Sequence, residues 1–392
     1  MLTDLAVIFL LGLCLSGLMN KLHIPPLVGM LLTGILLGPF GFNLLSSSIL
    51  AISADLRQLA LIIILTRAGF ALDINQLKQV GRPAFLICFV PACFEIVGVM
   101  LFAPPLLNIS LIDAAIMGAV IAAVSPAVIV PKMLHLTETG YGTNKSIPQM
   151  IMAGASVDDI FVIVLFSAFT GIAQGGSLNL ISFFQIPCSI IVGCILGIII
   201  GLFSIVLFKK VQLRGSVKVV VILSFSFLLV ALEAALKGKV AVSGLLAIMA
   251  MGATIQKKNP DIGAVLSRKY SKLWAAAEIL LFALVGATVD LQYAAIAGIT
   301  SILVILGAMV FRMFGVYLCM TKTVLNFKER IFCMIAYMPK ATVQAAIGSI
   351  PLAMGLSCGK VVLTVAVLAI LITAPLGAFG IDISYRKLLT KE

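Results

Sequence analysis

The sequence predicts an all-α membrane protein of about 13 transmembrane helices, arranged as inverted repeats with two crossing interrupted helices. Three observations lead there. Of 392 residues, 62% are hydrophobic and only 11% charged, which a water-exposed surface of this size does not tolerate. Apolar stretches of about 20 residues, the length that spans a bilayer, recur along the chain. Two of these stretches carry prolines at mid-membrane, each beside polar residues.

The spans run over 2–20, 24–44, 54–72, 82–104, 110–134, 147–173, 180–208, 216–236, 240–256, 270–290, 293–320, 329–356 and 360–383. Each is a helix, because an open sheet leaves backbone groups unsatisfied in lipid and no run alternates as a barrel strand does. The first span has a second reading as a cleaved signal peptide, but no Lys or Arg precedes it and no small-residue cleavage site follows. The longest polar connection, around Gln256 to Lys272, is too short to fold alone. The eight Cys are scattered without a CxxC spacing and the two His lie far apart, which argues against disulfide and resident-metal chemistry.

Charge fixes the expected topology. Lys21, Lys78, Arg82, Lys132, Lys145, Lys209, Lys210, Arg214, Lys218, Lys257, Lys258, Arg268, Lys269, Lys272, Lys322, Lys328, Arg330, Arg386, Lys387 and Lys391 fall on one side. The other side holds Lys237, Lys239 and Lys360, with Arg57 at a helix start. By the positive-inside rule the N-terminus is outside and the C-terminus cytoplasmic, in a cell (inner or plasma) membrane, which requires an odd number of spans. The net charge of +12 thus reflects topology, and the basic residues form no single face for nucleic acid.

In the fifth span, Ser125-Pro126-Ala127-Val128-Ile129-Val130-Pro131 holds two prolines that each remove a backbone donor. In the twelfth, Met338-Pro339-Lys340-Ala341-Thr342-Val343-Gln344 combines a proline with a cation, a hydroxyl and an amide. Prolines that merely kink helices are the simpler account. Against it, the breaks lie an odd number of spans apart, so the two helices run in opposite directions, and the preceding spans hold Glu95 and Arg312 at matching places. Paired interruptions of this kind point to a transporter's binding site.

The interior charges are Arg67, Glu95, Asp158, Asp159, Arg312 and Lys340, and each needs a partner or a water path. Asp158 and Asp159 lie near the middle of the sixth span. Adjacent helical residues diverge by about 100°, so one can face a cavity while the other turns to a neighbouring helix. Two ionised carboxylates disfavour each other there, so such a site accepts either a proton or a cation. Competition of that kind suffices for exchange. Glu95 and Arg312 read best as a structural ion pair. Lys340 is either a direct site residue or a cap on a half-helix C-terminus, and Arg67, near the cytoplasmic end of its span and within reach of the interface by snorkelling, is assigned no function. No GxxxxGK[ST] or cofactor fingerprint occurs, so no cofactor is expected.

The stretches Ala122-Ala123-Val124-Ser125-Pro126-Ala127-Val128-Ile129-Val130-Pro131, Gly154-Ala155-Ser156-Val157-Asp158-Asp159-Ile160 and Met338-Pro339-Lys340-Ala341-Thr342-Val343-Gln344-Ala345-Ala346-Ile347-Gly348 resemble the cation:proton antiporter superfamily, and within it the sodium/proton antiporter branch called NHA. The resemblance covers essentially the whole chain. It implies a core transport part at 82–173 and 293–392, a dimerisation part at 1–72 and 216–290 and a linker helix at 180–208. The core would move against a homodimeric scaffold as an elevator. It makes Asp159 the principal ligand for Na+ or Li+ and for the proton, Asp158 its partner and Ser125 a neighbour at the crossing. The polar residues of the second break, Lys340, Thr342 and Gln344, are candidate modulators of that site. In electrogenic bacterial relatives a lysine stands where this chain has Arg312, so their stoichiometry does not transfer.

The alternative cargo is potassium, and a sodium-coupled organic-solute symporter of related fold is a further reading. An intramembrane aspartyl protease needs its aspartates on different helices, commonly with a GxGD element. Here they are consecutive. The expectation is therefore a secondary transporter and not an enzyme, with the lipid bilayer as its solvent.

Overall fold

The computed structural model describes residues 1–71, 81–174, 180–236 and 242–391. Lys78, Lys237 and Lys239 lie outside the described residues, as do the side chains of Ser156 and Ile160 in the aspartate motif. All regular elements among the described residues are helical, and nine helical stretches are long and apolar enough to cross a membrane. An isolated bridge joins Tyr141 to Lys391.

In chain order the helices are α1 (Leu2–Lys21), α2 (Pro26–Leu37), α3 (Ser47–Ala51), α4 (Ser53–Ala71), α5 (Arg82–Ile87), α6 (Val90–Leu107), α7 (Leu111–Ile121) and α8 (Pro126–Thr139). There follow α9 (Ile147–Ala173), α10 (Leu180–Lys210), α11 (Gly215–Leu236), α12 (Gly244–Lys258), α13 (Pro260–Ala287) and α14 (Leu291–Cys319). The last are α15 (Phe327–Ala336), α16 (Thr342–Ile347), α17 (Ile350–Ala353) and α18 (Gly359–Leu388). The chain forms two compact units: Met1–Ala54 with Ile74–Ala173 and Leu281–Glu392, and Asp55–Asp73 with Gln174–Leu280.

In the second unit, α10 packs on α12 through glycines. A Cβ on Gly193, Gly197 or Gly201 would strike the α12 segment at Ser243, Ala247 or Met251 and Thr254. Close backbone approach through small residues is how helices associate without a hydrophobic drive in lipid. In the first unit, α6 and α14 use the same device. Gly98 faces Ala308 and Phe311, Gly307 faces Phe102, and Gly315 faces Pro91 and Phe94. The Phe94–Phe314 and Phe102–Phe311 pairs, with centroids 5.6 and 5.9 Å apart, fill the spaces between. This seam sets Glu95 of α6 against Arg312 of α14.

Several boundaries differ from the sequence expectation. The span at 82–104 is two helices, broken at Cys88–Phe89, where Pro91 sits in the first turn of α6 and cannot continue the preceding helix. The stretch 260–272 is no polar loop but the first turns of α13. Asn259 accepts a hydrogen bond from the Ile262 amide at 3.2 Å, and Pro260 and Asp261 suit a helix start. In the fifth span the break falls just before Pro126, while Pro131 lies inside α8. Asn326 and Glu329 form a capping box at the start of α15. Fully buried Glu329 also pairs with Lys145 at 2.8 Å, fastening the turn before α9 to the start of α15.

Candidate functional site

The site begins with two places where helix cannot continue. Pro126 drives the preceding Ser125 into extended backbone, φ −92° and ψ 108°, so the chain between α7 and α8 leaves the helical ladder at residues 122–125. Between α15 and α16, residues 337–341 leave it as well, around Pro339. The two openings meet: the Ser125 amide donates to the Pro339 carbonyl at 2.8 Å. The Lys340 amide is taken up by Thr373 Oγ1 of α18 at 3.0 Å.

Unwinding exposes the carbonyls at the end of α7, which side chains then satisfy. Lys340 Nζ donates to Ile121 O at 2.6 Å, Gln344 Nε2 to Ala123 O at 2.8 Å and to Ile121 O at 3.3 Å, and Arg312 Nη1 to Ala122 O. Two cations and an amide thus cap the negative end of a half-helix. Of the two readings left open for Lys340, this is the contact of the second.

The same cations hold the carboxylates. Lys340 Nζ lies 2.6 and 2.7 Å from the two oxygens of Glu95. Arg312 donates from Nη1 to Glu95 Oε2 at 2.9 Å, from Nη2 to Asp158 Oδ2 at 2.9 Å and from Nε to Tyr337 O at 2.8 Å. Its guanidinium also stacks 5.3 Å from the centre of the Tyr337 ring. Asp158 Oδ2 accepts a further bond from the Val124 amide, freed by the same unwinding, at 2.8 Å. Glu95, Asp158, Arg312 and Lys340 are all 0% exposed, so four buried charges sum to zero.

The expected Glu95–Arg312 pair is one part of a larger set: the structure bonds Arg312 to Asp158 as well, because the guanidinium fork carries five donors and spans two carboxylates at once. Asp159 stands apart. It follows Asp158 on α9, is 9% exposed, and its Oδ1 has no partner. Neither a salt bridge nor a hydrogen bond reaches it among the described residues. Ser125, fully buried, leaves its Oγ unpartnered, and Thr342 lies buried in α16.

The sequence reading missed Tyr337, Thr373 and the backbone groups of Val124 and Pro339. Tyr337 adjoins the Met338-Pro339 motif and was within its reach, but no pattern distinguishes Thr373 in a continuous apolar helix. It also missed Glu278, a half-buried carboxylate of α13 in the second unit that neighbours Arg67 electrostatically.

The structure thus brings buried, paired charges to the meeting of two broken helices, beside a carboxylate that has no partner among the described residues. Comparison with known proteins shows the family. The family described as sodium/hydrogen exchanger, transmembrane, matches residues 5–384. Sodium/hydrogen exchanger 9B2 of Mus musculus is 32% identical over 381 residues, covering 94% of this chain and 69% of that protein. Sodium/hydrogen exchanger 9B1 of Homo sapiens is 34% identical over 385 residues, covering 94% and 73%. A solved structure of the sodium proton antiporter MjNhaP1 from Methanocaldococcus jannaschii at pH 8 superposes with a TM-score of 0.85, at 20% identity over 99% of this chain and 98% of that one. That match extends through both interrupted helices and so shares the fold that builds the crossing. With the family's match running from the first helix into the last, this multi-pass membrane chain belongs to the sodium/hydrogen exchanger family, as an NHA-type member of the cation:proton antiporter superfamily.

Proposed function

We propose that this protein exchanges a small monovalent cation, Na+ or Li+, for protons, with Asp159 as the group that alternates between the two. The observation that carries this reading is that Asp159 is the buried carboxylate beside the crossing to which no cation comes among the described residues. A protein that intended it as a structural ion would have paired it. Asp158 is the fixed neighbour, anchored by Arg312 and the Val124 amide.

The alternating-access step is elevator-like: a core of 82–173 and 293–392 moves against a dimerisation part of 1–72 and 216–290 joined by the linker helix at 180–208, in a homodimer. Supporting it are the opposed directions of the two broken helices, expected of inverted repeats within thirteen spans, and the glycine seam by which α6 and α14 hold the charge network as one body. Lys and Arg bias supports an external N-terminus and a cytoplasmic C-terminus.

The test is purified protein in liposomes with an entrapped pH dye, challenged in turn with Na+, Li+ and K+. Proton movement driven by Na+ or Li+ is the expected result, with an apparent cation KM that rises as pH falls, because protons compete for Asp159. Response to K+ alone would select the potassium reading. No response to any of the three, with uptake of an organic solute driven by Na+, would replace exchange by symport.

A further inference from the structure

Apart from the Tyr337 hydroxyl and Glu95 Oε1, which Lys340 Nζ approaches at 2.6 Å, four buried side-chain oxygens around the unwound segment accept no hydrogen bond among the described residues: Ser125 Oγ, Asp158 Oδ1, Asp159 Oδ1 and Gln344 Oε1. Buried polar atoms are nearly always satisfied, so four acceptors with no donor in one small region call for a ligand. Their kinds define its chemistry. A hydroxyl, two carboxylates and an amide carbonyl, with no nitrogen or sulfur, suit a hard cation stripped of its water.

In the reading above Asp159 carries the ion, with Asp158 as its fixed neighbour, and Ser125 is the expected neighbour at the crossing. Gln344 is the addition. It is fully buried in α16, and its Nε2 spends both hydrogens on Ile121 O and Ala123 O, at 3.3 and 2.8 Å. Exchanging the amide oxygen and nitrogen would set Oε1 against two carbonyl oxygens, so the orientation is fixed. Oε1 is therefore an obligate acceptor, held rigidly by the segment whose next amide, that of Val124, binds Asp158. A side chain needed only to tie α16 to α7 requires the two donors and has no use for a buried acceptor beside them.

We propose that Gln344 is a positioning and selectivity residue of the cation site: its amide group fixes the unwound segment, and its Oε1 is one of the oxygens that replace water around the transported ion. The inference rests on the cation/proton exchange reading. In an all-oxygen site whose amide member cannot move, the separation of that oxygen from the carboxylates sets which cation radius is best satisfied. Gln344 thereby contributes to the choice between Li+ and Na+.

The experiment is the liposome assay at fixed pH on wild type, Gln344→Leu and Gln344→Glu, with KM and maximal rate for Na+ and Li+ measured separately. The leucine removes both the donors and the acceptor, whereas the glutamate keeps an acceptor and loses the donors. The leucine variant is expected to raise cation KM about tenfold, the worth of one lost contact of hydrogen-bond strength. Its maximal rate should change far less, and its Li+/Na+ KM ratio should differ from that of wild type. The glutamate variant should retain more cation affinity than the leucine. If the leucine variant does not fold, the Li+/Na+ ratio of the glutamate variant decides, since its second oxygen alters the site's geometry and must shift the ratio. Unchanged KM values and ratio, or a fall in maximal rate alone, overturn the inference while leaving exchange standing. A wild type without cation-driven proton flux removes the exchange reading, and this inference with it.

Discussion

The neighbouring aspartates answer to different forces, and the same substitution separates them. Asp158 is the second carboxylate of a balanced network, whereas Asp159 has no partner among the described residues. Asp158→Asn keeps an acceptor for the Val124 amide but leaves Arg312 one charge short, so it is expected to lower stability by about 1–3 kcal/mol as well as impair transport. Asp159→Asn removes a buried charge that nothing compensates. Stability should hold or rise while cation-driven proton flux is abolished, because an amide neither ionises nor carries the exchanged proton. Thermal unfolding of the two purified variants beside the flux assay checks both; a large loss of stability in Asp159→Asn would mean that this carboxylate has a structural partner after all. The network predicts its own coupling. Glu95→Ala strands Lys340 and half of Arg312, at about 3–5 kcal/mol for a fully buried case, and Lys340→Ala strands only part of Glu95. The double variant should cost less than the sum, and strict additivity in the cycle would deny the pair.

At the scale of elements, the site depends on how closely α9 approaches the second interruption. Gly154 lies one turn before Asp158, and a Cβ there would meet the Tyr337 hydroxyl and Ile87 Cγ2 well inside contact distance. Arg312 bonds the Tyr337 carbonyl and lies over its ring, and Tyr337 is fully buried, so the clash is not relieved by a simple side-chain swing. Gly154→Ala is expected to destabilise by about 1–3 kcal/mol and to reduce exchange by displacing Asp158, measurable as a lower unfolding temperature and slower flux; wild-type behaviour in both would show that α9 has room to move. Much of this architecture was legible beforehand. The boundaries of α9, 147–173, follow from apolar run length alone, and Pro126 and Pro339 announced the two breaks. Proline by itself is not the signal, however, since Pro131 and Pro375 sit inside continuous helices. What marks the true breaks is that the freed carbonyls find Arg312, Lys340 and Gln344, three residues remote in sequence. That information resides in tertiary contact. The break before α6 escaped because its carbonyls need no charged partner, and the start of α13 because three basic residues near 268–272 disguised a helix as a loop.

For the whole molecule, the charge balance of the buried network bears on whether transport moves net charge. Across the cycle Arg312 cannot give up a proton, since guanidinium stays charged in proteins, and it neutralises Asp158 directly at 2.9 Å. Lys340 is committed to both oxygens of Glu95 and to the end of α7. Releasing its proton would leave Glu95 with half its compensation and expose the Ile121 carbonyl, a cost that a loaded site does not require. Asp159 is then the one carboxylate whose charge must be cancelled before the site can cross the membrane interior. One proton does this, and so does one monovalent cation, so either load crosses with the same net charge. Exchange is therefore expected to be electroneutral, one proton for one cation. The check is to impose inside-negative or inside-positive potentials with valinomycin and K+ gradients across proteoliposomes and record Na+-driven proton flux under each. Equal rates are expected at both signs. Rates that change with the sign would require a second proton carrier, and Lys340→Gln would identify it: voltage dependence lost in that variant would assign the second proton to Lys340, and voltage dependence retained would place it outside the network.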